Sequence, residues 1–431
     1  MKKVTRIKRE LLGNCVGMKT RVMSMVAAGV MAPTLVYATN GDTMMSVGAE
    51  NTALGGTGVA HFTGAESTFA NPAMLGKSTG REVTGGLVVF RPSVTNDGMS
   101  GGALVANSAA NTSYIPDISF SSRLDDTLTY GVAMAGIAGM GVDYTGAPKG
   151  THVAAKTTLS ILKVIPTIAY NQDNYGLGFS PVLQYGLLAI SYDTSVAMPG
   201  SLPVNAARKA SSHTGFGIAL GGYYNTSPAL TLAASYHSKI SMNYGTQMSV
   251  AGAGFGQVFA DHLDQPAEIK AGFAYAADHN FTVTADYRLI QWGSAAGYKD
   301  FGWKDQTVIA VGGKYSADGY WLGAGYNNSS NPIGVFANGI AANATNGQNG
   351  VGNMFNNMLF PGIINSAYTL GGGYALSKNL ELAASFMYAP KVTTRVDISD
   401  AVPPAGAAPG TLFNTTTHSQ QSYSASLRYK F

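Results

Sequence analysis

Apolar and polar residues alternate with a period of two over the last ten residues of the chain. One set comprises Tyr423, Ala425, Leu427, Tyr429 and Phe431, and the interleaved set comprises Ser424, Ser426, Arg428 and Lys430. Because successive side chains of a β-strand point to opposite faces, this segment has one apolar face, rich in aromatics, and one polar face. Such a strand suits lipid on one side and a wet lumen on the other.

Four other segments alternate in the same way, at residues 230–237, 268–275, 281–289 and 380–388. In one of them, the apolar set Phe281, Val283, Ala285, Tyr287 and Leu289 is interleaved with Thr282, Thr284, Asp286 and Arg288. Their lengths are close to the roughly 9–11 residues that a tilted strand needs to cross a bilayer. The pattern therefore predicts membrane-spanning strands.

Short turns and long connections set the number of strands. Asp, Asn, Gly or Pro, the residues that favour tight turns, mark six turns at 124–127, 171–174, 225–228, 277–280, 316–319 and 377–379. Six hairpins, a first strand near 83–94 and a last one at 422–431 predict an all-β, 14-stranded antiparallel transmembrane β-barrel, with 12 or 16 strands as alternatives. The seven long connections fall at about 95–113, 140–158, 196–213, 243–265, 291–306, 327–366 and 389–421.

The composition favours a barrel over an ordinary soluble domain. The chain has 54 Gly, 23 Tyr and only 12% charged residues, which is typical of strands that meet lipid on one face. After the N-terminal region no run of 18 apolar residues occurs, which excludes helical membrane spans. A soluble β-sandwich or β-helix is the alternative.

The first 38 residues predict a secretory signal peptide. A basic stretch precedes the apolar residues 22–36, and Val36, Tyr37 and Ala38 form a small-x-small cleavage site. This segment holds seven of the 27 basic residues and one of the 23 acidic ones. The remaining residues, 39–431, therefore include 20 basic and 22 acidic ones and have a net charge of −2. The basic balance therefore gives no reason to expect nucleic acid as a partner. Cys15, the single cysteine, is removed with the signal, so no disulfide is expected.

Residues 39–81 predict a separate N-terminal segment, followed by the barrel at 82–431. Gly55, Gly56 and Gly58 give a flexible backbone that can pack closely. Pro72 fixes its own dihedral and keeps Asn71 extended, and Asn71 can cap the turn that follows. The apolar residues of this segment favour packing over disorder, and a 14-strand barrel has room for it. We therefore expect a plug, or hatch, in the lumen.

Several motifs, in order, resemble the FadL/TodX family of outer-membrane transporters for hydrophobic compounds. They are SVGAENTALGGTGVA at 46–60, NPA at 71–73, YRLIQW at 287–292, WKD at 303–305, GAGYN at 323–327 and the final strand that stops at Phe431. The resemblance implies a 14-strand barrel plugged by a hatch, and passive transport of long-chain fatty acids or hydrocarbons. Asn71, Pro72 and Ala73 match the family's hatch motif. It also implies localisation in the bacterial outer membrane, lipid around the barrel and a monomeric state.

Two sets of residues are candidates for contact with a ligand. Apolar residues in a predicted external loop suggest a hydrophobic groove, or else packing of the loop on itself: Phe255, Val258, Phe259 and Leu263. A second apolar loop cluster, Met354, Phe355, Met358, Leu359 and Phe360, has the same two interpretations. A fatty acid also needs a cation, and the lumen-facing Lys270, Arg288 and Arg428 are candidates. Alternatively, each of these cations pairs with an acid such as Glu268, Asp286 or Glu381 and holds the hatch.

No motif indicates catalysis. The sequence lacks G-x-S-x-G, P-loop and H-E-x-x-H motifs, and the histidines lack metal-ligand spacing, so we expect no catalytic residue, metal or cofactor. The favoured hypothesis is passive uptake of hydrophobic molecules through a hatch-gated barrel. A general diffusion porin and a structural or adhesive barrel are the alternatives, and an outer-membrane hydrolase is a distant fourth.

Overall fold

The computed structural model describes residues 40–98, 105–147, 154–193, 209–254, 258–336, 349–401 and 410–431. The predicted signal peptide and Phe255 lie outside these residues. Cleavage after Ala38, and the division at residues 38 and 81, therefore stay predictions.

Fourteen long antiparallel strands close into a barrel, which confirms the predicted fold. Each long strand pairs with the next along the chain, and the last pairs with the first. The strands are β1 (Arg81–Asn96), the two-residue β2 (Ala106–Asn107), β3 (Ser113–Arg123), β4 (Leu128–Asp143), β5 (Ala154–Asn171), β6 (Tyr175–Asp193), β7 (Ser211–Ser227), β8 (Leu230–His237), β9 (Glu268–Ala276), β10 (Phe281–Ile290), β11 (Gln306–Ala317), β12 (Tyr320–Ser329), β13 (Ser366–Ala375), β14 (Leu380–Asp397) and β15 (Phe413–Lys430).

The described helices are short. They are α1 (Ala49–Ala53), α2 (Gln247–Gly254), α3 (Asn349–Leu359) and the 3₁₀ helices Ala65–Phe69, Pro72–Lys77, Trp292–Ser294, Tyr298–Phe301 and Ser399–Ala401. None of the helices in the described ranges is long and apolar enough to cross a membrane.

All six predicted turns join consecutive strands, and β8, β9 and β10 have nearly the predicted bounds, but β14 and β15 were predicted too short at their external ends. The last strand begins at Phe413 instead of residue 422, and β14 continues to Asp397 through the predicted loop at 389–421. Outward residues in this part of β15 are polar, such as Thr415, Thr417 and Ser419, so the apolar–polar alternation that marks lower strand segments is lost.

The two faces of the last strand are as predicted. Tyr423, Leu427 and Tyr429 point outward and are exposed, whereas Ser424 and Ser426 point inward and are buried. Large exposed apolar side chains recur on the outer wall of the other strands, as a lipid-facing surface requires.

The hatch, residues 40–80, packs against the inner faces of the strands. Helix α1 lies against β12, β13 and β14, and the 3₁₀ helix Pro72–Lys77 lies against β5, β6 and β7. Leu54, Met74 and Leu75 are fully buried. The lumen is therefore filled by the segment that the sequence predicted as a plug.

The long connections at the external end pack into a cap, residues 238–254, 258–267, 291–305 and 349–365. Its centre is aromatic: the Trp292 and Trp303 rings are 5.0 Å apart, and Phe301 stacks on Phe360 at 5.3 Å. These side chains are almost fully buried.

Candidate functional site

Asn71, Pro72 and Ala73 fix the middle of the hatch. The Asn71 side chain accepts a hydrogen bond from the Ala73 amide at 3.0 Å, capping the 3₁₀ helix that begins at Pro72. Its amide nitrogen donates to the carbonyls of Val59 at 2.8 Å and Gly222 at 3.2 Å. One side chain thus joins two parts of the hatch to strand β7.

The glycine-rich turn of the hatch docks on the opposite wall. Gly55 and Gly56 have φ angles of 76° and 87°, which glycine adopts without strain. The Gly55 amide donates to the Thr369 hydroxyl at 2.9 Å, and the Gly58 amide donates to the Asp286 carboxylate at 2.7 Å. Gly55 and Gly58 therefore lie at the hatch–wall contact, whereas Gly56 packs against Met45 within the hatch.

Glycines in the barrel wall receive the hatch backbone. A Cβ at Gly325 would lie 2.2 Å from the Gly55 nitrogen, and one at Gly178 would lie 2.3 Å from the Pro72 carbonyl carbon. These distances leave no room for a methyl group, so glycine at these wall positions allows the hatch backbone to pack directly against the wall.

A lumenal cavity lies between the start of the hatch and strands β4, β5 and β8–β12. The cavity has a volume of about 80 Å³ and is partly open to solvent. Its lining combines apolar and charged side chains, including Met44, Met45, Val47, Phe69, Ile137, Ile165 and Val308 with Lys163, His237, Glu268, Lys270, Asp286 and Arg288. An amphipathic molecule could satisfy both parts.

Two of the predicted cations line this cavity and hold the hatch. The Arg288 guanidinium lies 2.8 Å from Glu268 and donates to the Thr43 hydroxyl at 3.0 Å. The Lys270 ammonium lies 3.1 Å from Glu268 and donates to the Phe69 carbonyl at 3.2 Å. Both cations thus have an acidic partner.

The third predicted cation, Arg428, is not among the residues that line this cavity. Its guanidinium lies 3.1 Å from Glu66 and 3.8 Å from Glu381, and it donates to the Thr63 carbonyl. These contacts join β15 to the hatch. Carboxylate binding by Arg428, Lys270 or Arg288 stays a prediction.

Lys163 on β5 lines the same cavity and was not recognised in the sequence. Its ammonium forms no hydrogen bond or ion pair with any residue that the structure describes. Lys163 shares the inward face of β5 with the buried Ile161 and Ile165. A lone lysine at an inward position of an apolar strand was the signal that could have identified it.

The predicted groove residues do not lie together. Val258 is 67% exposed, whereas Phe259 is buried in the cap, with its ring 4.9 Å from that of Phe355. Leu263 is also buried, and residues 258–263 are not helical. The second cluster, Met354, Phe355, Met358, Leu359 and Phe360, is fully buried in the cap. Ligand contact by the predicted groove residues stays a prediction.

Asp42 connects the hatch to the cap. Its carboxylate accepts hydrogen bonds from the Tyr298 hydroxyl and, at 3.2 Å, from the Gln265 amide. Burial raises the pKa of Asp42 to about 6, although these hydrogen bonds oppose the shift. The start of the hatch thus contacts two external loops.

The same hatch segment pairs with an irregular part of β4. Pairing between β3 and β4 stops at Asp117 and Ala135, and β4 then has one extra residue, Ile137, relative to β5. The Met44 amide donates to the Ile137 carbonyl at 2.8 Å, and the Gly139 amide donates to the Asp42 carbonyl at 2.9 Å. Hatch residues therefore cover the inner side of β4 where β3 no longer pairs with it.

No group of three or more His, Cys, Asp or Glu side chains that could hold a metal ion occurs in the part of the chain that the structure describes.

Comparisons with known proteins agree with this architecture. Residues 40–335 match the model of a family described as outer membrane protein transport protein (OMPP1/FadL/TodX). The chain is similar in structure to a FadL homologue of Pseudomonas aeruginosa, with 15% identity and a TM-score of 0.64, over 93% of this chain and 100% of that one.

Two toluene transporters are also similar in structure. TodX of Pseudomonas putida has 19% identity and a TM-score of 0.65, over 90% of this chain and 99% of that one. TbuX of Ralstonia pickettii has 17% identity and a TM-score of 0.62, over 90% and 99%. No curated protein matches the chain by sequence. At these identities the structural likeness establishes the fold.

Proposed function

Because this chain belongs to the OMPP1/FadL/TodX family of outer-membrane transport proteins, we propose that it passively admits amphipathic hydrophobic molecules, with long-chain fatty acids as the favoured class. The similar solved structures include toluene transporters, so hydrocarbons are the competing class. The side chains that line the cavity can distinguish the two classes, because a fatty acid carries a carboxylate and a hydrocarbon does not.

The observation that carries the proposal is Lys163. It is the cavity cation that forms no hydrogen bond or close ion pair with a described residue, although Glu268 and Asp42 attract it at longer range, and it lies near the apolar side chains of Met44, Met45 and Ile165. A fatty-acid carboxylate would pair with Lys163, and its chain would lie along the apolar lining. A pure hydrocarbon would form no ion pair with Lys163.

Gating follows from the position of the hatch start. Met44, Met45 and Val47 line the cavity, while Asp42 and Met44 bond to β4. A ligand chain that displaces these methionines would pull the segment from β4 and from Tyr298. Ligand binding would thereby open the plug without any energy source.

We propose exit through the wall between β3 and β4. The strands are unpaired beyond Asp117 and Ala135, and the hatch covers this region from inside. Release of the hatch would connect the cavity sideways to the membrane, which is where a fatty acid partitions. This chain would then act as a monomeric, lipid-surrounded channel without catalytic residues, directed to the outer membrane by residues 1–38.

The test is a comparison of ligand binding by Lys163→Met and Lys156→Met. Lys156 lies on the same strand but on its outer face, paired with Asp143 at 2.8 Å, so it serves as the matched control. Labelled oleate should bind at least about tenfold more weakly to Lys163→Met, as expected for one lost charge-assisted contact, and normally to Lys156→Met. Toluene binding should be unchanged in both.

Equal oleate affinity in all three proteins would contradict the fatty-acid assignment. Toluene binding alone, with no oleate binding by the unmodified protein, would favour the hydrocarbon class. Binding of neither, together with open-channel ion conductance, would favour a general diffusion porin.

A further inference from the structure

Three cations interrupt the apolar outer wall on β1 and β14, the two strands that flank β15. On β1 the outward residues Val83, Leu87 and Val89 are followed by Arg91, and on β14 the outward Leu382, Phe386 and Tyr388 are followed by Lys391 and Arg395. Between them, β15 changes from Tyr423 to the polar Gln421. The change occurs on one row of the sheet, since Gln421 pairs with both Arg91 and Tyr388.

The position of this row corresponds to the outer boundary of the membrane. Arg81, at the periplasmic end of β1, and Arg91 bracket the apolar stretch on the outer face. Ten residue steps at about 3.3 Å, with a strand tilt of about 40°, give a height of roughly 25 Å, which is the height of the apolar band of an outer-membrane barrel. Arg91 and Lys391 therefore lie at the level of the outer-leaflet headgroups.

These cations form no ion pair within the part of the chain that the structure describes. Arg91, Lys391 and Arg395 are exposed, and none forms an ion pair with a residue that the structure describes. Arg395 stacks on Phe413, with 3.5 Å from its guanidinium carbon to the ring centroid. Asp397, two residues after Arg395 on β14, accepts hydrogen bonds from Ser399 and Gly410. Arg91 and Lys391 therefore remain available for an anion from outside the protein.

We propose that Arg91, Lys391 and Arg395 bind an outer-leaflet glycolipid that carries two phosphate groups. Arg91 and Lys391 are separated by one strand, which puts their Cα atoms roughly 10–12 Å apart, and Arg395 is about 13 Å further along β14. Two phosphates on opposite ends of a disaccharide fit this spacing better than a single phosphate does. The acyl chains would lie on the exposed Tyr388, Tyr423 and Leu87 below the patch.

The experiment is native mass spectrometry of the full-length protein purified from outer membranes, comparing Arg91→Gln/Lys391→Gln with Arg81→Gln. Arg81 lies on the same strand and face but at the other leaflet, so it is the matched control. We expect retention of bis-phosphorylated glycolipid to fall at least fivefold in the double variant and to be unchanged in Arg81→Gln. In competition experiments, bis-phosphorylated lipid A should displace the bound lipid. Much less of the bound lipid should be displaced by monophosphorylated lipid A, phosphatidylglycerol or inorganic pyrophosphate.

Equal retention in the double variant, an equal loss in Arg81→Gln, or equal competition by phosphatidylglycerol would each overturn the proposal. The substituted side chains point outward, so heat-modifiable migration on gels should show a folded barrel in every variant. Oleate binding, measured on the same samples, should not change, because the patch is outside the lumen. This readout separates failure of the lipid site from failure of the proposed transport function.

Discussion

Single residues link the hatch to its surroundings, and Asp42 does so at the contact with the cap. The folded protein holds its carboxyl with a pKa of about 6, above the ordinary value of 3.8. The protonated form is thus favoured by folding, so its contribution to stability is complete below about pH 4 and is lost as the pH rises through 6. At neutral pH the docking of the hatch start should be weaker by roughly 3 kcal/mol.

Hydrogen-exchange protection of residues 40–58, corrected for intrinsic rates, checks this expectation between pH 4 and pH 7.5. Protection should fall as the pH rises in the unmodified protein and stay level in Asp42→Asn, whose amide oxygen can still accept from Tyr298. Equal slopes in the two proteins would show that Asp42 is not the titrating group.

Arg428 tests the alternative that the lumenal cations hold the hatch. Arg428→Gln would leave Glu66 buried without its cation, at a cost of about 3–5 kcal/mol, whereas Arg428→Gln with Glu66→Gln should recover most of that loss. Hydrogen exchange of residues 61–70 measures the effect. Loss of oleate affinity in the double variant, with the hatch still protected, would instead favour carboxylate binding by Arg428.

The sequence predicted which way these side chains point and offered Glu268 and Glu381 as acidic partners, but it did not predict which cation pairs with which acid. Strand alternation was sufficient to put Lys270, Arg288 and Arg428 on the lumen side. Glu268 lies two residues from Lys270 on the same face of β9, so strand alternation also accounts for that pair, whereas the contact of Arg428 with Glu66 depends on how the hatch folds. Lys163 escaped notice because its neighbours on the inner face of β5, Ile161 and Ile165, are apolar; the hatch and cap cover that face, so it lacks the polar character of a wet lumen. Phe259 is buried by Phe301 and Phe355, which are distant in sequence.

At the level of elements, the hatch docks because wall strands offer glycine where its backbone approaches. Gly325→Ala would put a methyl group 2.2 Å from the Gly55 nitrogen, which should destabilise hatch docking by about 1–3 kcal/mol. Gly85→Ala is the control, since nothing lies within 4 Å of its added Cβ. In limited proteolysis, the hatch should be cut faster in Gly325→Ala than in the unmodified protein, and at the unmodified rate in Gly85→Ala. Equal rates in all three proteins would show that the wall shifts to accommodate the methyl group.

The extra residue in β4 offers a test of the sideways exit. Deleting Ile137 would restore continuous register with β5 and remove the carbonyl to which Met44 donates. We expect oleate uptake into liposomes to fall severalfold, while oleate binding in detergent changes little. Deleting one residue from the regular part of β11, such as Val311, controls for general damage to a strand. Unchanged uptake without Ile137 would favour exit toward the periplasm.

The topology of the barrel was predictable because turns and alternation are local signals, whereas the structure of its external end was not predictable. There the strands extend into the predicted loops, and three long connections join in one aromatic cap whose contacts link residues distant in sequence. Gly41 lies directly beneath this cap, where an added Cβ would be 2.8 Å from the Trp292 ring. The hatch thus lies between the external loops and the part of β4 that does not pair with β3, and the proposed function requires it to couple ligand entry to exit.

Removal of residues 40–80 tests this whole-molecule coupling. The 14-strand wall is closed by pairing between β15 and β1, so it should still fold, but its lumen would hold water instead of the hatch. We expect steady ion conductance in planar bilayers, at least tenfold above that of the intact protein, and loss of saturable oleate binding because Met44, Met45 and Phe69 leave the cavity. If the truncated protein conducts no better and binds oleate equally well, the hatch neither plugs the barrel nor forms the site. If it conducts but still binds oleate, the strand residues around Lys163 are sufficient for binding, and the hatch serves only as the gate.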